Sequence, residues 1–107
     1  MHAAPDAVFR SLADPTRRAI LERLIREGEL TVRAITGEAG VSQPMVSKHL
    51  GVLKSAGLVR DRRDGRETHY RAQPKGLAPM VDWMRHYRDF WCERFDRLEK
   101  LLERMEK

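Results

Sequence analysis

Apolar positions recur at helical spacing along most of this chain and give way to alternation in one stretch only. Ala7, Val8, Phe9 and Leu12 predict a short first helix that stops before Asp14-Pro15, where an aspartate can cap the next helix and a proline suits its first position. The second helix runs to about Glu27. Its Ile20, Leu21, Leu24 and Ile25 form a stripe that leaves Arg17, Arg18, Glu22 and Arg26 for water. Gly28 ends it, Thr31 reads as the cap of a third helix carrying Val32, Ile35 and Ala39, and Gly40 stops that one in turn.

The stretch SQPMVSKHL, residues 42–50, predicts a fourth helix that opens on a proline. Ser42 can cap it, and Pro44 is tolerated because an N–H in the first turn has no helical acceptor to lose. At 100° per residue Val46, Leu50 and Leu53 share one face, while Pro44, Ser47, Lys48, Gly51 and Ser55 share the other. The outer face is flat, polar and built of small residues, so it suits a groove about 12 Å wide. Gln43, Ser47 and Lys48 supply donors and acceptors fitted to base edges or phosphates. With the tight turn Ala39-Gly40-Val41 before it, this helix and its predecessor make a helix-turn-helix.

After Gly57 the period changes. LVRDRR, then Asp64-Gly65, then RETHYRA predicts a hairpin, with Asp-Gly as its two-residue turn. Arg62, Arg63 and Arg66 crowd the tip, as in a wing placed to touch phosphates or enter a minor groove.

From Pro79 to residue 106 the pattern predicts one long amphipathic helix. Met80, Met84, Tyr87, Trp91, Phe95, Leu98, Leu102 and Met105 step by three or four, and Trp83, Phe90 and Leu101 widen the stripe. The stripe from Met80 to Met105 is 26 residues long and spans about 39 Å, more than a small core can cover. The expected remedy is a symmetric dimer, with this helix and the first one at the interface. Phe9, Met84, Tyr87, Trp91, Phe95, Leu98 and Leu102 are the candidate interface residues. These aromatics read as dimer core rather than as a ligand pocket.

Composition narrows the function classes. The 107 residues suit one domain, taken as residues 1–107, and carry a net charge of +5. Residues 48–75 hold eight cations against three carboxylates, whereas the rest of the chain is balanced, so the whole excess sits in the fourth helix and the wing. A basic concentration of this kind favours a polyanion. No apolar run approaches the roughly 18 residues of a membrane span. MHAAPDAVF lacks a basic stretch leading into an apolar core, so no secretion leader is expected. Cys92 is the single cysteine, which fits a reducing cytoplasm and is expected to be an inert thiol. His2, His69 and His86 form no cluster, and no motif joins a nucleophile to a base and an orienter, so no enzyme is expected.

LADPTRRAIL, GVSQPMVSKHLGVLKSAGLV and RRDGRETHYR, taken in order and at matching spacing, resemble the ArsR/SmtB family of bacterial winged-helix repressors over roughly residues 6–72. The resemblance implies a mainly α winged helix-turn-helix fold of four helices, a small β-hairpin wing and a fifth helix. It also implies a homodimer joined through the first and last helices, which binds double-stranded DNA at an operator near its own gene and releases it on a signal. The signal, a small-molecule effector included, is left open. Carried over residue by residue, Ser42, Gln43, Pro44, Ser47, Lys48 and His49 belong to the base-reading helix, and Arg62, Arg63 and Arg66 to the wing contacts. YRDFWCERFDRLEKLLE further resembles the tails of ArsR-like proteins encoded beside partners similar to lipid-binding START domains.

The chain departs from the metal-sensing members. Where those carry Cys-x-Cys, GELTVRAIT places Thr31 and Arg33, neither of which is a soft-metal thiolate. Asp82, His86, Asp89 and Glu93 approach a second family metal pattern at the wrong spacing and with one histidine, so a solvated charged face is expected and no metal or cofactor. The alternative from another class is a winged-helix interaction module that docks a protein through its last helix without reading DNA.

Overall fold

The computed structural model describes residues 5–106, so His2 and the start of the MHAAPDAVF stretch lie outside it. The chain folds as α1 (Asp6–Leu12), α2 (Pro15–Glu27), β1 (Leu30–Thr31), α3 (Val32–Ala39), α4 (Gln43–Ser55), β2 (Val59–Asp64), β3 (Glu67–Ala72), a 3-10 turn (Pro74–Leu77), α5 (Ala78–His86) and α6 (Arg88–Met105).

The helix starts follow their capping chemistry. Asp14 Oδ1 accepts the amides of Thr16 at 2.8 Å and Arg17 at 3.1 Å, and these bonds hold its carboxyl below the usual carboxylate range. Thr31 Oγ1 takes the amide of Ala34, and Ser42 Oγ that of Met45. Gly28 and Gly40, at φ 85° and 72°, turn the chain out of α2 and α3. The core gathers where α2, α3 and α4 meet the sheet, around Leu24, Ile35, Val46, Leu50, Leu53, Leu58 and Val59. Ile25 sits at the margin of its stripe and stays 53% exposed, outside the core where the helical spacing put it.

The sheet has three strands in the order β1-β3-β2, all antiparallel. β1 was not expected: two residues are too few to show alternation, and Leu30 and Thr31 are strand only because they pair with Tyr70 and His69. The hairpin loop also lies one residue later than expected. Asp64 pairs with Glu67, so the loop is Gly65-Arg66, and the positive φ of 63° falls on Gly65 alone. That is the type II′ pattern, with glycine first, rather than an Asp-Gly loop.

The long C-terminal helix is two helices. At Tyr87 the backbone leaves helical geometry (φ −112°, ψ 22°), and its amide bonds Met84 three residues back. Neither proline nor glycine occurs between residues 80 and 107, so the break is tertiary in origin. α5 follows its packing on α1, where Phe9 meets Trp83 edge-on at 5.5 Å, and α6 leaves that surface. α6 keeps i,i+4 ion pairs of Glu93 with Arg97 and Asp96 with Lys100.

One close approach joins the wing to the C-terminal helices. The Gln73 amide donates to Leu58 O at 2.8 Å, and a Cβ built on Gly76 would fall on the carbonyl oxygen of Gly57. Gly76→Ala is therefore expected to lower unfolding stability by about 1–3 kcal/mol through forced backbone movement. Gly37→Ala, in mid-α3 with nothing within 4 Å of the new carbon, should instead gain up to about 1 kcal/mol. Denaturant melts of the two variants check the pair; equal effects would remove the steric explanation.

Candidate nucleic-acid interface

The fourth helix presents its two faces as its spacing requires. Val46, Leu50 and Leu53 are 0% exposed, and Gln43, Pro44, Ser47, Lys48, Gly51 and Ser55 are exposed, with Ser42 just ahead of them at the cap. The outer face is flanked by two clefts. On the wing side, Gln43 and Ser47 line a cleft of about 470 Å³ with Arg33, Arg66 and Thr68. On the other side, Lys48, Gly51 and Ser55 line one of about 530 Å³ against Ala7 and Arg10 of α1. Arg33, Thr68 and Arg10 were not among the expected site residues. Arg33 carried a signal, since it stands where metal-sensing relatives hold a thiol.

Two of the expected site residues are placed elsewhere. His49 is 6% exposed, and its Nδ1 lies 3.4 Å from Arg17 Nη1. It packs inside rather than facing a groove, because its position on the helical wheel borders Leu50 and Leu53. Arg17, expected in water, is the matching surprise: its Nε donates to Ser11 O at 2.8 Å and its Nη2 to Arg10 O at 3.1 Å, tying the end of α1 to α2 and α4. Arg62 is not free at the wing tip. Its Nε and Nη2 grip the Glu29 carboxylate at 3.0 and 2.6 Å, and Asp64 stands 3.7 Å from its Nη1. The Arg62 hydrogen bonds hold Glu29 below the usual carboxylate range and raise the arginine in turn. Lys54 is likewise paired with Asp61 at 3.1 Å. Lys48, Arg63 and Arg66 form no ion pair among the described residues, and of these Lys48 and Arg66 line the clefts beside α4.

The expected interface residues form an aromatic run from α1 through α5 into α6. Trp83 meets Phe9, then Tyr87 at 5.2 Å and Trp91 at 6.5 Å, and Trp91 stacks on Phe95 at 6.2 Å. Met84, Tyr87, Phe95, Leu98 and Leu102 are exposed. The indole N–H of Trp91 is buried without a hydrogen-bond partner. Asp82 and His86 lie on α5 and Asp89 and Glu93 on α6, across the break at Tyr87, and among the described residues no three His, Cys, Asp or Glu side chains are grouped to hold a metal ion. Cys92 is exposed.

Residues 12–62 match the family described as Helix-turn-helix domain. The chain is similar to the HTH-type transcriptional regulator Rv2034 of Mycobacterium tuberculosis, 47% identical over 79 residues that cover 74% of this chain and 73% of that protein. It is also similar to the transcriptional repressor SdpR of Bacillus subtilis, 35% identical over 80 residues covering 75% and 88%. Among solved structures it resembles the homodimeric winged helix-turn-helix DNA-binding domain Mb0332 of Mycobacterium bovis, described as a possible ArsR-family transcriptional regulator, with a TM-score of 0.62, 33% identity and coverage of 78% and 77%. Its winged sheet and these relatives agree: the chain belongs to the ArsR/SmtB family of winged helix-turn-helix transcriptional regulators.

Proposed function

We propose that this chain is a homodimeric, sequence-specific DNA-binding regulator that represses transcription from an operator near its own gene. The observation that carries this reading is the exposed α4 face, flanked by two clefts that Lys48 and Arg66 line, two cations without an ion pair among the described residues. The homodimeric state of the Mb0332 domain and the repressor named among the relatives support it. So does the apolar face that α5 and α6 leave open in a single subunit.

In this reading residues 1–107 act as one DNA-binding unit in the cytoplasm, binding without catalysis. No helix among the described residues is long and apolar enough to cross a membrane. Ser42 and Pro44 set the start of the reading helix. Gln43 pairs with adenine, Lys48 with guanine, and Ser47 with either, each worth about 1–3 kcal/mol of discrimination. Arg63 and Arg66 neutralise phosphates, adding affinity with little sequence preference. Phe9, Met84, Tyr87, Trp91, Phe95, Leu98 and Leu102 bury one another across the two-fold axis, which sets the two reading helices about 34–36 Å apart, one turn of DNA.

The test is fluorescence anisotropy on the DNA upstream of the gene and on random duplex across a salt series. Ser47→Ala or Lys48→Ala should narrow the gap between the two duplexes by about 10-fold, whereas Arg63→Ala should weaken both alike and flatten the salt slope by about one unit. Equal losses on both duplexes for all three variants would overturn this division of labour, and no preference of the wild type for the upstream DNA would overturn the reading itself.

A further inference from the structure

The pair Glu29–Arg62 joins residues 33 positions apart and has no part in the core or in the α4 surface. Gly28 makes it possible: its φ of 85° turns the chain out of α2, so that Glu29 comes just ahead of β1 beside the wing. β1 pairs with β3, and β3 with β2, so a carboxylate just ahead of β1 lies across one strand from β2. Two residues opposite each other on neighbouring strands share a face of the sheet, and Arg62 is opposite His69. The carboxylate meets both, Arg62 through a forked hydrogen bond and His69 Nδ1 at 3.5 Å. The next residue, Arg63, is opposite Thr68, which lines the cleft beside α4. Strand alternation thus puts the two arginines on opposite faces. Among the described residues Arg63 has no acidic partner, and Arg62 has Glu29 with Asp64 close behind.

We propose that Glu29 is a latch that withholds Arg62 from DNA, so that the number of phosphates the wing neutralises is set by a residue outside both the reading helix and the wing. The inference rests on the DNA-binding reading and deepens it. A guanidinium forked onto a carboxylate has committed its Nε–H and one Nη2–H, and the carboxylate cancels at close range the charge it would offer a phosphate. Full engagement of Arg62 by a phosphate therefore exchanges one charge-assisted pair for another of similar strength, which leaves little net gain. Glu29 retains its charge well below neutral pH because Arg62 donates to it, so the latch is closed under ordinary conditions. Glu29 is in this sense a positioning residue, and the wing's electrostatic reach is adjustable without any change to the bases read.

The experiment measures salt-dependent affinity for upstream and random duplexes with the wild type, Glu29→Gln, Arg62→Ala, the double variant, and Glu22→Gln as a control that removes an exposed carboxylate from α2. Arg62→Ala alone leaves the Glu29 carboxylate unpaired beside the wing and should weaken both duplexes alike. Glu29→Gln should tighten both duplexes alike and steepen the slope by about 0.9, so that its affinity falls about 3.5-fold more than the wild type's between about 50 and 200 mM salt. The double variant should return to the wild-type slope, and Glu22→Gln should not move it. A double variant with a flatter slope than the wild type would overturn the latch, since Arg62 would already lie on a phosphate. An unchanged slope for a folded Glu29→Gln would overturn it equally. If Glu29→Gln does not fold, Glu29→Asp takes its place, keeping the charge but drawing the carboxylate back from the fork, and an intermediate slope is expected. A wild type that binds no duplex at any salt overturns the proposed function and this inference together, a result distinct from one in which DNA binds and only the latch variants are silent.

Discussion

Leu98→Glu combined with Leu102→Glu is expected to give a folded single subunit whose affinity for the operator is lower by about 10²–10⁴-fold. Both leucines are half exposed, at 49% and 50%, on a helix that leaves the rest of the fold after Tyr87, so the substitutions remove nothing that the core needs. Within α6 the new i,i+4 like-charge pair costs only about 0.2–0.5 kcal/mol. Across a two-fold axis the same change brings four carboxylates into what should be a dry surface, where unpaired charge is not tolerated. A lone subunit offers one reading helix instead of two and loses the effective concentration that the second binding event enjoys. Mass in solution, a thermal melt and anisotropy on the upstream duplex check the three parts of the expectation. A dimer of unchanged affinity would mean that the interface lies elsewhere.

Leu50→Ala carries the largest expected loss of stability, about 2–5 kcal/mol. Leu50 is 0% exposed and sits where α4 packs against the core built with α2, α3 and the sheet. Truncation removes three carbons' worth of burial and leaves a void that close-packed neighbours fill only in part. Against the roughly 5–15 kcal/mol that holds a domain of this size together, the loss is large enough to see as a fall in Tm of well over 10 °C. Ile25→Ala, on a side chain already half in water, should cost well under 1 kcal/mol in the isolated subunit. Because Leu50 anchors the inner face of the helix whose outer face is proposed to read DNA, its loss should also blunt base preference at temperatures where the fold survives. Urea melts of the two variants decide the matter, and comparable midpoints would contradict the packing described.

Much of this architecture was legible because its determinants are local. Asp14, Thr31 and Ser42 each bond an amide two or three residues ahead, so a cap can be read from a handful of neighbouring letters. The burial of Val46, Leu50 and Leu53 follows from helical spacing alone. What escaped the sequence depends on residues far apart in the chain. β1 exists through Tyr70 and His69, and Arg62 is occupied by Glu29; neither partner can be inferred from the flanking residues. Strand alternation assigns Arg62 a face but not the acid waiting there. His49 lies at the margin of the helix and histidine suits either environment, so spacing leaves its side open; in the fold it is buried with the Arg17 guanidinium of α2 beside it. The break at Tyr87 has no breaker residue to announce it. A stripe of apolar side chains reports which way a helix faces, not whether its support ends halfway.

The abutment of Gly76 on Gly57 has a mechanical consequence. The path from the base of the wing to α5 is a few residues long and is fastened at both ends, by the Gln73 bond to Leu58 and by two backbones with no side chain between them. The angle at which the hairpin leans and the heading on which α5 departs are therefore two arms of a single lever. A tilt of one arm is felt at the other, with the seam at residues 57 and 76 as its fulcrum.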